Sequence, residues 1–312
     1  MRKNNLRHFQ LISIGICLLA GTTLSAQNDL LAELEDETKD ETQYTFATFK
    51  GTRVVNLQSP EIPGKGVLQY SILHRFGSFD NEFFYNFLGL DNAQIKMGLD
   101  YSPTNWLNVG WGHSSFQKVY DGYVKYRLVR QSTGAKTFPF TITGFSALYY
   151  KSQKFTDNLP HDDTERLSYV HELVIARKFG KKFSAEIVPA FTHFNVVETK
   201  DNNNDIIAIG GALRYKLSHM IAVTAEYIYQ VNPNDYTHFN GNVETYANAF
   251  SVGCDLETGG HVFQLFLTNS RGVTEPYTIA ETPGRWLDND IHFGFNISRV
   301  FTLQKPKVPK EG

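Results

Sequence analysis

About a dozen segments of this chain alternate apolar and polar residues with period two, and the connections between them alternate between short and long. Few folds satisfy both patterns. A strand with one apolar and one polar face can show the first to lipid and the second to a lumen, with tight turns on one side of a membrane and longer loops on the other. The clearest segment runs from Ile221 to Gln230, where Ile221, Val223, Ala225, Tyr227 and Tyr229 oppose Thr224, Glu226 and Gln230. Ala93–Tyr101, Phe183–Phe191 and the stretch from Ile291 to Phe301 repeat it. Pro189 falls on the apolar face of its segment and predicts a bulge or a local break in the ladder, because it lacks an N–H to donate.

Eight noisier segments are Gly66–Phe76, Trp106–His113, Lys118–Arg130, Pro139–Tyr150, Arg166–Lys178, Asp205–Leu217, Ala247–Leu256 and His261–Asn269. They bring the total to about twelve, an even number that puts both ends of a single-chain barrel on one side. The expected fold is therefore all-β, an antiparallel up-and-down transmembrane β-barrel spanning residues 64–302. From a periplasmic start, the outer connections are mostly long and the inner ones short; Ser114–Gln117 is a short outer exception. A soluble β-sandwich shares the period. Strands of about ten residues, aromatic residues at many strand ends and charges on the second face favour the membrane barrel.

Residues 1–26 read as a signal peptide: Arg2, Lys3 and Arg7, then the apolar Leu11–Ala20, then Leu24-Ser25-Ala26 before Gln27. The expected location is the outer membrane of a Gram-negative bacterium, with membrane lipid and, during insertion, the barrel-assembly machinery as partners. Cys17 belongs to the leader and follows Ile16, which a lipoprotein site disfavours, so Cys254 alone is left and a disulfide framework is excluded. The net charge is -2, and the leader carries three basic and no acidic residues, so the remainder is near -5. That balance gives nucleic-acid binding no support. No later apolar run reaches the ~18 residues of a spanning helix.

Residues 27–63 precede the barrel. Asn28–Tyr44 is acidic, with a solvated linker as one reading and a docking turn built on Leu30, Leu31 and Leu34 as the other. Thr45–Pro63 mixes apolar residues with Lys50 and Arg53 and suits a plug or a periplasmic collar. Residues 303–312 form a basic periplasmic tail. The run from Ala47 to Asn56 (Ala-Thr-Phe-Lys-Gly-Thr-Arg-Val-Val-Asn), with Lys65-Gly66-Val67-Leu68 and His74-Arg75-Phe76-Gly77, resembles the opening of an uncharacterised family of Gram-negative outer-membrane β-barrel, porin-like proteins. The resemblance implies location and architecture and carries over no functional residue.

Parity places Lys96, Asp100, Asp121, Tyr123, Lys125, Arg127, Arg166, Glu172, Glu186, Arg214, Lys216, Glu226, Asp255, Gln264 and His292 on the lumenal face. Both signs occur, which argues against strong ion selectivity. Across a tight hairpin Arg214 and Glu226 become diagonal neighbours and an expected ion pair. Two functions fit: a narrow passive channel for small polar solutes, or a structural or partner-binding barrel with a closed lumen. A periplasmic or outer-membrane protein partner suits the second. Aromatic outer loops, including Phe83, Phe84, Tyr85, Phe87, Tyr236 and Phe239, suit a rim or a binding surface.

Enzymatic chemistry lacks a constellation. His113-Ser114-Ser115 cannot act as a unit on a strand, whose successive side chains point to opposite faces. His161-Asp162-Asp163 lies in a loop, and no matching ligand spacing recurs for a metal. Neither a cofactor nor a catalytic or metal site is expected.

Overall fold

The computed structural model describes residues 41–79, 84–155, 160–237, 241–258 and 261–304. The leader, the acidic run as far as Asp40, the tail beyond Gln304, Phe83 and Phe239 lie outside them. Residues 41–45 and 131–139 form one compact unit, a two-stranded ribbon in which Thr42–Tyr44 pairs antiparallel with Ser132–Gly134. The remaining described residues form the second unit, which is the barrel and its contents.

Among the described residues twelve strands close into one antiparallel barrel. They are β1 (Val67–Ser78), β2 (Gln94–Ser102), β3 (Leu107–Ser114), β4 (Val119–Val129), β5 (Thr141–Lys151), β6 (Leu167–Lys178), β7 (Phe183–Phe194), β8 (Asp205–Lys216), β9 (Ile221–Gln230), β10 (Ala249–Thr258), β11 (His261–Thr268) and β12 (His292–Thr302). Each pairs with its neighbours in sequence, and β12 closes the ring on β1 from His292↔Ser78 to Thr302↔Val67. A closed ring leaves no strand edge unpaired in lipid. The β6–β7 ladder lapses at Leu173 and Val174, opposite Pro189 and Val188, while the register on either side is unchanged. Pro189 thus breaks the ladder locally and makes no bulge.

The outer wall follows the period. Met97, Leu99, Ile187, Ile209, Leu213, Val223, Val252 and Leu265 point outward and are exposed. Aromatic side chains flank them near the periplasmic turns (Trp106, Phe183, Tyr215, Phe301) and near the outer connections (Tyr120, Phe191, Tyr229), as two interfacial girdles require. The short-turn end is the periplasmic one.

The inner wall departs from a uniformly polar face. Val170, Val174, Ala176, Val188, Ala190, Ala208, Ala212 and Ile228 also point inward and are buried. They are dry because the lumen is filled. Phe49, Val54 and Leu57 pack on them from the segment before β1, and Tyr277 and Ile279 pack from the loop between β11 and β12. In that loop the short helix α1 (Glu275–Ile279) has all five residues buried.

The depth dependence of the outer wall is testable. Ile209→Arg, at mid-strand on the lipid face, is expected to destabilise the barrel by about 2–4 kcal/mol, and Leu217→Arg, beyond the end of β8, by about 0–1 kcal/mol. Urea unfolding in lipid vesicles measures both; equal costs would contradict the assigned span.

Candidate functional site

The site is the interior, and its centre is a hairpin. Thr52 to Ser59 folds back on itself, with Val54 N–H donating to Leu57 O (3.0 Å), Ser59 N–H to Thr52 O (3.0 Å) and an antiparallel bridge between Arg53 and Gln58. A free hairpin tip leaves backbone amides unpaired, and buried amides need acceptors. Glu226 on β9 supplies them. Its carboxylate accepts from the N–H groups of Val55 (3.0 Å), Asn56 (2.9 Å) and Leu57 (3.2 Å), and from Asn56 Nδ2 (2.7 Å). Successive amides converging on one anion form an anion-binding concavity.

The wall around Glu226 is shaped for the tip. Glu226 lies between Ala212 on β8 and Ser251 on β10, both small. Ser251 Oγ accepts from Asn56 Nδ2 (3.0 Å). Gly210 leaves room for Leu57: a Cβ there would stand 2.7 Å from Leu57 Cδ1. Only a residue without a side chain lets the backbone wall come this close.

The hairpin carbonyls are met in turn. Gln264 on β11 donates to Val54 O (2.7 Å), Asn296 on β12 to Val55 O (3.1 Å) and Lys125 on β4 to Thr52 O (2.8 Å). Arg75 on β1 donates to Asn56 Oδ1 (2.9 Å) and lies 4.2 Å over the Phe266 ring. Thr143 and Arg127 both donate to Pro60 O, and Glu172 accepts from Gln58 N–H (3.3 Å). Seven of the twelve strands therefore hold the hairpin through these contacts, and β5 holds the adjoining Pro60.

The outer loop meets the hairpin from the other end. Glu275 of α1 pairs with Arg53 and accepts from Gln58 Nε2 (2.7 Å) and Tyr149 Oη (2.6 Å). Tyr277 stands edge-on to Phe116, with ring centroids 5.1 Å apart. Just past α1, burial pushes the Glu281 carboxyl up to about 7, against the nearby Lys151 cation and with the help of Glu198.

The structure places the sequence-predicted residues as follows. Lys96 pairs with Asp121 (2.9 Å), and Tyr123 hydrogen bonds Asp100. Lys125, Arg127, Glu172 and Glu226 touch the hairpin as described. His292 meets Phe76 O through Nδ1 (2.9 Å). Glu186 is buried with no hydrogen-bond partner for either oxygen among the described residues, and Lys216 is half-buried at the periplasmic mouth.

Two expectations fail. Arg166 lies in the outer 3-10 turn Asp163–Arg166, where it donates to Lys151 O and Gln153 O, because β6 starts one residue later. The Arg214–Glu226 pair does not form. The register does make them diagonal neighbours, but Arg214 binds Asp255 (3.3 Å) and Glu257 (2.8 Å) on β10, while the hairpin amides claim Glu226.

Sequence reasoning missed Gln69, Arg75 and Tyr149, which share inner faces with residues it found, and Glu275, which no period marks. The two local clusters dissolve as units. His113 faces outward against Tyr120 (4.3 Å) while Ser114 is buried. Asp162 caps the 3-10 turn, and His161 meets Glu165 (2.7 Å).

A double-mutant cycle tests these pairings. Glu226→Ala should cost about 3 kcal/mol or more, because it strands several buried donors at once. Coupling to Asn56→Ala should reach about 1–3 kcal/mol, whereas coupling to Arg214→Ala should stay within about 0.5 kcal/mol. Strong coupling to Arg214 would restore the rejected pair.

Among solved structures the chain is similar to the NanC porin (11% identity, 75% of this chain and 98% of that one, TM-score 0.47). It is also similar to OmpT of Vibrio cholerae (13%, 76% and 78%, TM-score 0.34) and to the CymD monoaromatic hydrocarbon channel (10%, 78% and 90%, TM-score 0.36). No residue role is taken from these likenesses. No curated protein matches the sequence. The model of the membrane-bound beta barrel domain family DUF5777 matches residues 49–301, from the hairpin segment to the last strand, so the chain belongs to that family and is a barrel of the Gram-negative outer membrane.

Proposed function

We propose that this barrel is a porin-like channel for small polar solutes that its own residues 46–63 hold shut. The observation that carries the reading is the polar seat of the hairpin. Glu226, Gln264, Asn296, Lys125 and Arg75 bind its backbone and one Asn side chain through hydrogen bonds that water can replace. Withdrawal of the segment would leave that side of the lumen wettable. The charges there are mixed, which suits neutral or zwitterionic solutes better than one ion type.

A second reading, a permanently closed structural or partner-binding barrel, has its own support. Phe49, Val54 and Leu57 are each 1% exposed and join the inward valines and alanines in a dry cluster. Burying an apolar side chain of this kind contributes about 1.5–3 kcal/mol. Under this reading the segment is the core of the fold and does not leave.

Planar-bilayer conductance separates the two. The full chain is expected to be silent, and a variant lacking residues 46–63 to conduct, provided it keeps the heat-modifiable gel mobility of a folded barrel. A folded deletion variant that stays silent would overturn the channel reading in favour of the closed barrel.

A further inference from the structure

The periplasmic mouth carries a concentration of positive charge that the lumenal network pairs only in part. Where the β6–β7 and β8–β9 turns approach the start of the lumenal segment, a recess of about 50 Å³ is lined by Lys50, Lys178, Lys181, Lys182, Arg214 and Lys216, with Glu257 as its single carboxylate. In a chain whose net charge is -2 this is a local reversal of sign.

The internal pairs do not neutralise it. Glu257 is shared by Lys50 (2.8 Å) and Arg214 (2.8 Å), and Arg214 also meets Asp255 (3.3 Å). Lys178 donates to the carbonyl of Phe46 (2.8 Å). Lys181, Lys182 and Lys216 have no carboxylate within ion-pair distance among the described residues. Lys181 and Lys182 are exposed and Lys216 is half-buried, so water and salt screen part of their mutual repulsion, and an anion in the recess would relieve the rest.

The surroundings say what kind of anion. Phe179, Phe183, Tyr215 and Leu217 belong to the same two turns or the strand ends beside them, and all four are exposed on the outer surface. Phe179 and Phe183 stack at 5.6 Å, and Arg177 lies 5.0 Å over the Phe179 ring. The four exposed side chains face lipid across the wall from the inward-pointing Ser184, Arg214 and Lys216 of the recess, so Lys181 and Lys182, in the β6–β7 turn beyond the strand ends, are the recess lysines nearest the boundary between acyl chains and anionic headgroups.

We infer that this recess binds a phosphate-bearing anion, with Lys181, Lys182 and Lys216 as its ligands. The chemistry is that of a phosphodiester or phosphomonoester: a compact multivalent acceptor for ammonium donors. A lipid headgroup of the inner leaflet and free phosphate both supply it.

The test uses the full chain purified in detergent, with native mass spectrometry of retained phosphatidylglycerol against phosphatidylcholine, and titration with inorganic phosphate as a separate arm. The site variant is Lys181→Gln/Lys182→Gln/Lys216→Gln. The charge-matched control is Lys118→Gln/Lys154→Gln/Lys200→Gln in the outer connections. Both are checked for heat-modifiable mobility. The site variant should lose on the order of 100-fold in affinity while the control stays unchanged.

Retention of phosphatidylglycerol that inorganic phosphate does not displace identifies the headgroup as the source. Binding of inorganic phosphate alone, lost in the site variant, identifies the free anion. A full chain that binds neither in preference to phosphatidylcholine, or a site variant indistinguishable from the control, overturns the proposal.

Discussion

A carboxylate enclosed in a barrel and a hairpin tip enclosed with it each carry a cost that the other removes. Glu226 would be an expensive buried charge without donors, and the amides of Val55, Asn56 and Leu57 would be expensive without an acceptor. Together they make a seat that fixes the tip of residues 52–59 in the lumen. Much else depends on that seat. Gly210, Ala212 and Ser251 are small where the tip rests. The inward valines and alanines of β6 to β8 and Ile228 of β9 are dry because Phe49, Val54 and Leu57 cover them. Arg53 is held where it can meet the outer loop.

That meeting gives the interior two closures joined at one ion pair. Residues 46–63 fill the lumen with a fold-back held from many sides, and α1 descends from the long loop between β11 and β12 until Glu275 reaches Arg53, Gln58 and Tyr149. Removing one member of a buried pair costs more than the pair contributes, because a lone charge remains. The two segments therefore depend on each other, and a change in one is felt by the other.

The barrel was legible in the sequence because lipid imposes a period of two on every strand and the turns impose an alternation of lengths. Parity found Lys125, Glu172 and Glu226 for the same reason. It stopped there because direction is not partnership. Arg214 and Glu226 share a face and are diagonal neighbours, but which acceptor each takes is decided by Asp255, Glu257 and the hairpin amides, which come from other parts of the chain. Inward apolar residues such as Val188 and Ile228 were unremarkable in a strand and acquire meaning only once the segment that covers them is placed. Glu275 sits in an irregular loop, where no period operates. The plug-or-collar reading of Thr45–Pro63 rested on its mixed composition, and that mixture now has a physical meaning: apolar residues for the dry side of the lumen, backbone and Asn56 for the polar side.

The central claim is that the hairpin tip is fixed in the lumen by the Glu226 carboxylate. Site-resolved amide hydrogen exchange on the full chain in lipid tests it most directly. The account predicts that the amides of Val55, Asn56 and Leu57 exchange as slowly as those of the barrel strands, and that Glu226→Gln speeds them selectively while the strand amides stay protected. Exchange of these three amides at the rate of an exposed loop in the unaltered chain would contradict it.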